Sequence, residues 1–286
     1  MIRIGFIGAG RVGTGLAALL NSKDAYKVVA VYDINGEAVK AFAEAIAGCT
    51  VVDSYQQVAD MADFVFITTV DNKIAPVCSQ IAWRKGQKVA HVSGANSTVL
   101  LESAKKRGAY VGVFHPGFMF VTAKQTVQDL PGKTFDIEAE EPMLTTLKDM
   151  AAAIDCFWVE VREEERGAFH FAEELVSLYV LFMVKLATNL METINIPQDR
   201  AITALLPILK GTVNAIQTLG IDQKLPGPVA RFDIESIKKH IEGLHRVAPG
   251  TVSLYRELAR QSIPMILAQG SINSQQAEEL NKLLKS

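Results

Sequence analysis

The chain is poor in cysteine, has no excess of basic charge and has no long uninterrupted apolar run. Its three cysteines, Cys49, Cys78 and Cys156, stand far apart in 286 residues and form no C-x-x-C pair. That argues against a disulfide framework or a zinc knuckle and points to a reducing compartment. Lys and Arg number 29 against 31 Asp and Glu, a net charge of −2, so no basic footprint for nucleic acid exists. The closest approach to a membrane span is the apolar run Leu175–Val184, which Lys185 ends well short of the roughly 18 residues a span needs. The opening residues MIRIGFIGAG lead into a strand and a glycine turn rather than a cleavage site, so a cytoplasmic protein without membrane partners is expected.

What is present is ordinary for a globular chain: 49% hydrophobic and 21% charged residues, which excludes a disordered or low-complexity scaffold. At roughly 100–200 residues per domain, the length predicts two domains. The first part alternates short apolar runs with helical patterns. Strands are expected at Ile2–Ile7, Lys27–Tyr32, Thr50–Val52, Asp63–Val70, Lys88–Val92 and Tyr110–Phe114. Helices are expected at Gly10–Leu20, Ala38–Ala47, Lys73–Trp83 and Thr98–Arg107. Such alternation builds parallel βαβ units, and near-continuously apolar strands are those buried on both faces. Two late strands, Thr134–Glu138 and Phe157–Val161, flank a helix near Pro142–Ile154. Beyond Arg162 the pattern is helical: one long helix over Glu163–Ile194, then shorter helices punctuated by Pro197, Pro207, Pro226, Pro228, Pro249 and Pro264. The expected class is α/β, with an N-terminal Rossmann domain over 1–161 and an all-α substrate and dimerisation domain over 162–286.

The strongest motif is Gly8-Ala9-Gly10-Arg11-Val12-Gly13. G-x-G-x-x-G is weak alone, but here it follows a strand and opens a helix. Gly8 permits the tight turn, Gly10 lets a pyrophosphate approach the backbone, and Gly13 lets helix and strand pack closely. The helix start adds free N–H groups and a positive dipole end. Asp33 ends the second strand 20 residues after Gly13, where an acid meets the adenosine 2′-hydroxyl. It would repel a 2′-phosphate, so NAD is favoured as cofactor. NADP is the alternative, because Arg11 is able to stack on adenine or meet a phosphate. Ligands of open α/β sheets lie beyond the carboxyl ends of the strands. Thr69 and Val70, Ser93 and Asn96, and His115 leave the fourth, fifth and sixth strands there. Ordinary turn or cap roles for these residues remain the alternative.

Taken together, these motifs resemble the 6-phosphogluconate dehydrogenase-like superfamily. Within it the chain is most similar to the family pairing a Rossmann-like NAD(P)-binding domain with a helical C-terminal domain of unknown function. The resemblance rests on Ser93-Gly94-Ala95-Asn96-Ser97, His115-Pro116, Phe169-His170-Phe171-Ala172 and Gly227-Pro228-Val229-Ala230-Arg231-Phe232-Asp233. Three departures stand out: Phe169 where the family has Tyr, Phe232 where it has Gly, and Ser177-Leu178 where it has Ser-Asn. The resemblance implies a helical domain that dimerises and hydride transfer between nicotinamide and a small polar carbonyl, hydroxyl or imine substrate bearing a carboxylate. A ketopantoate-like oxo acid and a pyrroline-carboxylate-type imine are two concrete options.

His170, Glu174, Ser177 and Leu181 fall on one face of the long helix. In related dehydrogenases a Lys near the start of this helix assists proton transfer, and His170 and Glu174 look like the corresponding positions. His suits that role because its ordinary pKa of about 6.5 lets it give or take a proton near neutrality. The expected catalytic set is His170, His115 and Ser177, with Ser93 and Asn96 orienting substrate and Arg231 holding its carboxylate through two hydrogen bonds. A His bonded to a backbone carbonyl, and an Arg paired with Asp233, are the structural alternatives. Lys185 falls too late in the helix to match the family's catalytic Lys. No metal is expected. Leu175–Leu186 is apolar nearly all round, so a two-fold dimer is expected. A non-catalytic dinucleotide sensor is the competing function.

Overall fold

A computed structural model of the chain describes residues 1–120, 122–221 and 226–285. Eight strands form one sheet: β1 (Ile2–Ile7), β2 (Tyr26–Tyr32), β3 (Thr50–Val51), β4 (Phe64–Ile67), β5 (Lys88–His91), β6 (Tyr110–Pro116), β7 (Thr134–Ala139) and β8 (Phe157–Glu160). Their order is β3-β2-β1-β4-β5-β6-β7-β8. Every pairing is parallel except β6 with β7, which runs antiparallel and sets His115 opposite Asp136. The helices are α1 (Arg11–Asn21), α2 (Gly36–Ala45), α3 (Tyr55–Met61), α4 (Asp71–Ser79), α5 (Glu102–Lys105), α6 (Ala123–Asp129), α7 (Met143–Ala153), α8 (Arg166–Val176), α9 (Leu178–Glu192), α10 (Gln198–Leu219), α11 (Ile234–Val247), α12 (Val252–Ala268) and α13 (Ser274–Lys285).

Strand periodicity divides the core between the two sheet faces. Ile4, Phe6, Phe64 and Phe66 join Leu16, Leu20 and Phe42 on one side. Ile7, Val65 and Ile67 join Val58, Ile74 and Val77 on the other. Phe6 stacks on Phe66 with ring centres 5.3 Å apart. Each such fully buried side chain contributes about 1.5–3 kcal/mol relative to exposure. Both faces are covered, which is why these strands read as continuous apolar runs.

The chain divides into two compact units, Met1–Ser177 and Leu178–Ser286. The second has a core of Ile237, Ile241, Ile263, Ile266, Leu280 and Leu284 from α11 to α13. The α9 and α10 helices behave differently. Among their described residues only Thr188 and Ala201 are buried, while Leu181, Phe182, Ile208 and Leu219 are all exposed.

Several expectations are corrected. The long helix is interrupted at Ser177 (φ −117°, ψ −80°), so α8 belongs with the first unit. The reason is Arg166 at its start, which is buried in an ion pair with Asp136 of the sheet. The change from strands to helices near Val161 is therefore not where the compact units part. Pro207 and Pro264 do not separate helices but lie inside α10 and α12, each at the loss of a backbone hydrogen bond. The short helices α3 and α6 fall where no element is expected, and Thr98–Leu101 is a 3₁₀ turn ahead of α5. The helical run Glu163–Glu192 is, by length and composition, long and apolar enough to cross a membrane. Its first turns nevertheless carry the buried, paired Arg166, which ties them to the sheet.

Candidate active site

The first half of the site is the glycine turn between β1 and α1. Gly8 has φ +111°, a conformation open to glycine, and a Cβ there would lie 2.7 Å from the Thr68 carbonyl. A Cβ on Gly13 would lie 2.6 Å from the Gly8 oxygen, the close helix–strand approach read from the sequence. Gly10 is different: nothing lies within 4 Å of its added Cβ. Its backbone faces open space at the start of α1, where free amides point. A cleft of about 470 Å³ opens there, lined among others by Gly8, Gly10, Asp33, Thr69, Val70 and Lys73. The Thr69 hydroxyl is buried with no partner. Arg11 is exposed and Val12 half-buried at the mouth of the turn.

Asp33 closes the turn from β2. One carboxylate oxygen accepts from the Ala9 amide at 2.7 Å and the other from the Asn35 amide at 2.9 Å. Asn35 in turn caps α2 by accepting from the Glu37 and Ala38 amides. The acid is thus held rigidly at the rim of the cleft. The open Gly10 edge, the helix start and the orphan Thr69 hydroxyl together fit a dinucleotide pyrophosphate.

The second half is a chain of ionisable groups on β6, β7 and α8. Antiparallel register brings His115 opposite Asp136, and directly opposed residues meet side by side. His115 Nδ1 lies 2.5 Å from an Asp136 oxygen. Arg166 donates to the other Asp136 oxygen and to the Ser93 carbonyl, the latter at 3.4 Å. Arg166 Nε also lies 3.6 Å from Glu138, which accepts from the Thr98 amide and hydroxyl at 2.9 and 2.7 Å. Both Arg166 and Asp136 are 1% exposed. A carboxylate only accepts, so His115 Nδ1 carries the proton and Nε2 is left basic.

His170 and Glu173 reach the same place from α8. The His170 ring stands 5.4 Å from His115 in an edge-on contact. Both rings press on Gly94, where a Cβ would come within 2.2 Å of His170 and 2.8 Å of His115. No hydrogen bond orients His170 among the described residues. Glu173 lies 3.5 Å from His115 Nδ1, with that carboxylate oxygen buried and without a hydrogen bond. Burial pushes its carboxyl above the ordinary range and Asp136 adds to this, while His115 and Arg166 oppose it. The His115, Asp136 and Glu173 ligand atoms all lie within 4.8 Å of one another, a spacing that a metal ion accepts. Arg166, bonded to Asp136, already supplies a cation there.

A third cluster stands at the ends of β4 and β5. The Ser93 hydroxyl donates to Asp71 at 2.8 Å, and the Asn96 amide donates to Asp71 at 3.0 Å and to Ser93 at 2.8 Å. Beneath them His91, fully buried, accepts from the Ser93 amide at 3.1 Å and bonds the Ser97 carbonyl at 3.0 Å.

Of the expected site residues, Ser93, Asn96, His115 and His170 therefore gather in one unit with the glycine turn. Ser177 does not join them by any hydrogen bond among the described residues. Its hydroxyl donates to the Glu173 carbonyl at 2.8 Å. Arg231 lies in the second unit, exposed, in the turn before α11. There Asp233 caps α11 by accepting from Ser236, and Phe232 adopts φ +53°. That left-handed conformation is the reason a glycine suits this position. Lys185 bonds Gln198. Asp71, Asp136, Glu138, Arg166 and Glu173 carry no motif that marks them in the sequence. Asp136 and Glu138 do leave a trace, as acids alternating with apolar residues in TFDIEA. Glu173 rather than Glu174 faces the histidines.

Fold and site define a Rossmann-type chain with a helical C-terminal region. Residues 1–116 match the Rossmann-like domain, and residues 133–262 match the domain of unknown function DUF2520. The protein belongs to the family that pairs these two domains. No curated protein matches it in sequence. Among solved structures it is similar to one described as an NADP oxidoreductase from Bacteroides fragilis, at 24% identity over 91% of this chain and 97% of that one, TM-score 0.73. A reductive aminase from Aspergillus terreus in complex with NADPH and ethyl levulinate aligns at 12% identity over 100% and 99%, TM-score 0.69. A pyrroline carboxylate reductase from Plasmodium falciparum with NADP bound aligns at 13% identity over 99% and 98%, TM-score 0.56. At these identities the likeness establishes the fold.

Proposed function

We propose that the protein is an NAD(P)-dependent oxidoreductase acting on a small polar carbonyl, hydroxyl or imine substrate. The observation that carries this is the pairing, in one unit, of an open glycine turn with a carboxylate-oriented histidine, both at the carboxyl-end side of one sheet. A nicotinamide dinucleotide bound at the turn supplies or accepts the hydride. The chain supplies orientation and a proton. His115, held by Asp136 through Nδ1, presents Nε2 as the acid or base, and Asp136 is held in turn by Arg166. His170 and the Ser93–Asn96 pair offer polar contacts to substrate. Arg231 is the candidate for a substrate carboxylate. The oxidoreductase and reductase neighbours support this reading.

We favour NAD over NADP because Asp33, fixed by Ala9 and Asn35, puts negative charge where a 2′-phosphate would lie. We further propose a homodimer in which the exposed apolar sides of α9 and α10 pack against a second copy, and a cytoplasmic location suited to the free cysteines. The experiment is turnover of NADH and NADPH with a panel of oxo acids and imines, for wild type and His115→Ala. Turnover that survives His115→Ala undiminished removes the acid/base role. Dinucleotide binding without turnover selects the sensor. A monomer in sedimentation at micromolar concentration rejects the dimer.

A further inference from the structure

Asp71 is an acid whose bonds do not serve its own helix. It is the first residue of α4, yet its carboxylate accepts from no amide of that helix. It turns instead to the loop beyond β5. Oδ2 accepts from the Ser93 hydroxyl at 2.8 Å and from the Asn96 amide at 3.0 Å. Ser93 is buried, and the Asn96 amide also donates to its hydroxyl oxygen at 2.8 Å. Beneath them His91 bonds the Ser93 amide and the Ser97 carbonyl, which fixes both ends of the loop. The carboxylate is thus held in one orientation, while Asp71 itself is exposed. Among the described residues nothing donates to Oδ1.

β1, which the glycine turn follows, lies between β2 and β4. Asp33 follows β2 on one side of the turn, and Asp71 follows β4 on the other. Two strand spacings separate β2 from β4, roughly 10 Å, a distance that a pyrophosphate with its two ribose arms spans. Val70 and Lys73, on either side of Asp71 in sequence, line the same cleft as Gly10 and Asp33. A nicotinamide dinucleotide is built likewise, with one ribose on each side of its pyrophosphate. With the pyrophosphate over Gly10 and the adenosine ribose at Asp33, the second ribose falls toward β4 and β5. We propose, on the dinucleotide reading above, that Asp71 holds the 2′,3′-diol of the ribose that carries nicotinamide, and that Ser93 and Asn96 are its positioning residues. A diol offers two hydroxyl donors on adjacent carbons, and a carboxylate only accepts. Hydrogen bonds to a charged acceptor are the stronger kind. The nicotinamide ring then lies beyond β5, on the side of β6 and His115.

Three nucleotides read the site in steps. ADP has the adenosine and the pyrophosphate, ADP-ribose adds the second ribose, and NADH adds the nicotinamide. Each is titrated by calorimetry into the full chain, as wild type and as Asp71→Ala, at one salt concentration. Asp71→Ala should weaken ADP-ribose and NADH about tenfold or more and change ADP less than about twofold, at unchanged melting temperature. Asp71→Asn, which keeps an acceptor for Ser93, should give the same pattern by a smaller factor and serves where the alanine variant folds poorly. Asn96→Ala, which loosens the carboxylate without removing it, should weaken ADP-ribose more than ADP; equal effects on the two remove its positioning role. Equal losses for all three nucleotides overturn the proposal, because the cleft is then disturbed as a whole. A loss for NADH alone also overturns it, because Asp71 then meets the nicotinamide ring rather than the ribose. Binding of none of the three to wild type removes the dinucleotide reading and the proposal with it. Binding that Asp71→Ala leaves intact removes the proposal alone.

Discussion

Acid weakens this fold through His91, and the structure gives the size of the effect. The ring is fully buried beneath the Ser93–Ser97 turn. A backbone amide only donates and a carbonyl only accepts, so Nδ1 must receive the Ser93 amide and Nε2 must give its proton to Ser97. Both nitrogens are spoken for by the neutral ring, and burial drives its pKa down from 6.5 to about 4. The unfolded chain takes up the proton near pH 6.5, whereas the folded chain resists until about pH 4. Stability therefore falls as pH drops through that window. At 1.36 kcal/mol per unit the full loss is about 3 kcal/mol, and about 2 kcal/mol of it accrues between roughly pH 7 and pH 5. His91→Gln keeps a donor for Ser97 but cannot titrate. It leaves the Ser93 amide without its acceptor, at about 1–3 kcal/mol. Urea unfolding at the two pH values should show wild type losing about 2 kcal/mol more than the variant. Equal losses in both proteins refute the neutral-clamp reasoning. An NMR titration of wild type checks the same point independently: the His91 ring should stay neutral at about pH 5.

Glu173 has the opposite sign. Its carboxyl is raised in the fold, so its contribution is favourable below the ordinary glutamate value and is lost as pH rises through the folded one. Glu173→Gln should therefore raise the melting temperature in mildly alkaline buffer and change it little in acid, as read by thermal shift at both. Asp136→Ala strands the buried Arg166 charge and should cost about 3–5 kcal/mol in urea unfolding. A loss under about 1 kcal/mol would mean water reaches the guanidinium. Gly94→Ala drives a methyl into the His170 and His115 rings. It should cost about 1–3 kcal/mol and lower hydride transfer more than dinucleotide affinity, measured side by side.

How much was readable depended on whether the signal was local. The strands and the glycine turn write themselves into contiguous residues: β1, β2 and β4 to β8 fall close to where apolar runs predict them, Gly8 and Gly13 meet across one turn, and Asp33 ends the next strand at the spacing the motif requires. The His115 and His170 neighbourhood was legible only as two separate polar residues at element ends. Their orienting partners come from pairing that no local pattern encodes. Asp136 meets His115 because β7 runs antiparallel beside β6, a reversal that the βαβ rhythm before it does not announce. Arg166 follows Glu163, Glu164 and Glu165, a charged run in which nothing local marks it for burial. Its burial follows from the acid waiting on β7. The same pairing ties the start of the long helix to the sheet, and the helix is interrupted at Ser177, where the first compact unit ends. Pro207 and Pro264 misled because the helix turns on either side continue through them despite the lost hydrogen bond.

The central claim is that the Gly8–Gly13 turn holds a nicotinamide dinucleotide. Gly10 tests it cleanly, because its backbone is extended (φ −72°, ψ −178°) and an added Cβ meets no protein atom within 4 Å. Gly10→Val should thus fold as wild type does while its branched side chain fills the space a pyrophosphate needs. Fluorescence titration of both proteins with NADH and with NADPH is the measurement. The account predicts saturable binding to wild type, tighter for NADH, and a loss of at least about tenfold in Gly10→Val at unchanged melting temperature. Binding of neither nucleotide to wild type, or equal binding to a well-folded Gly10→Val, contradicts it.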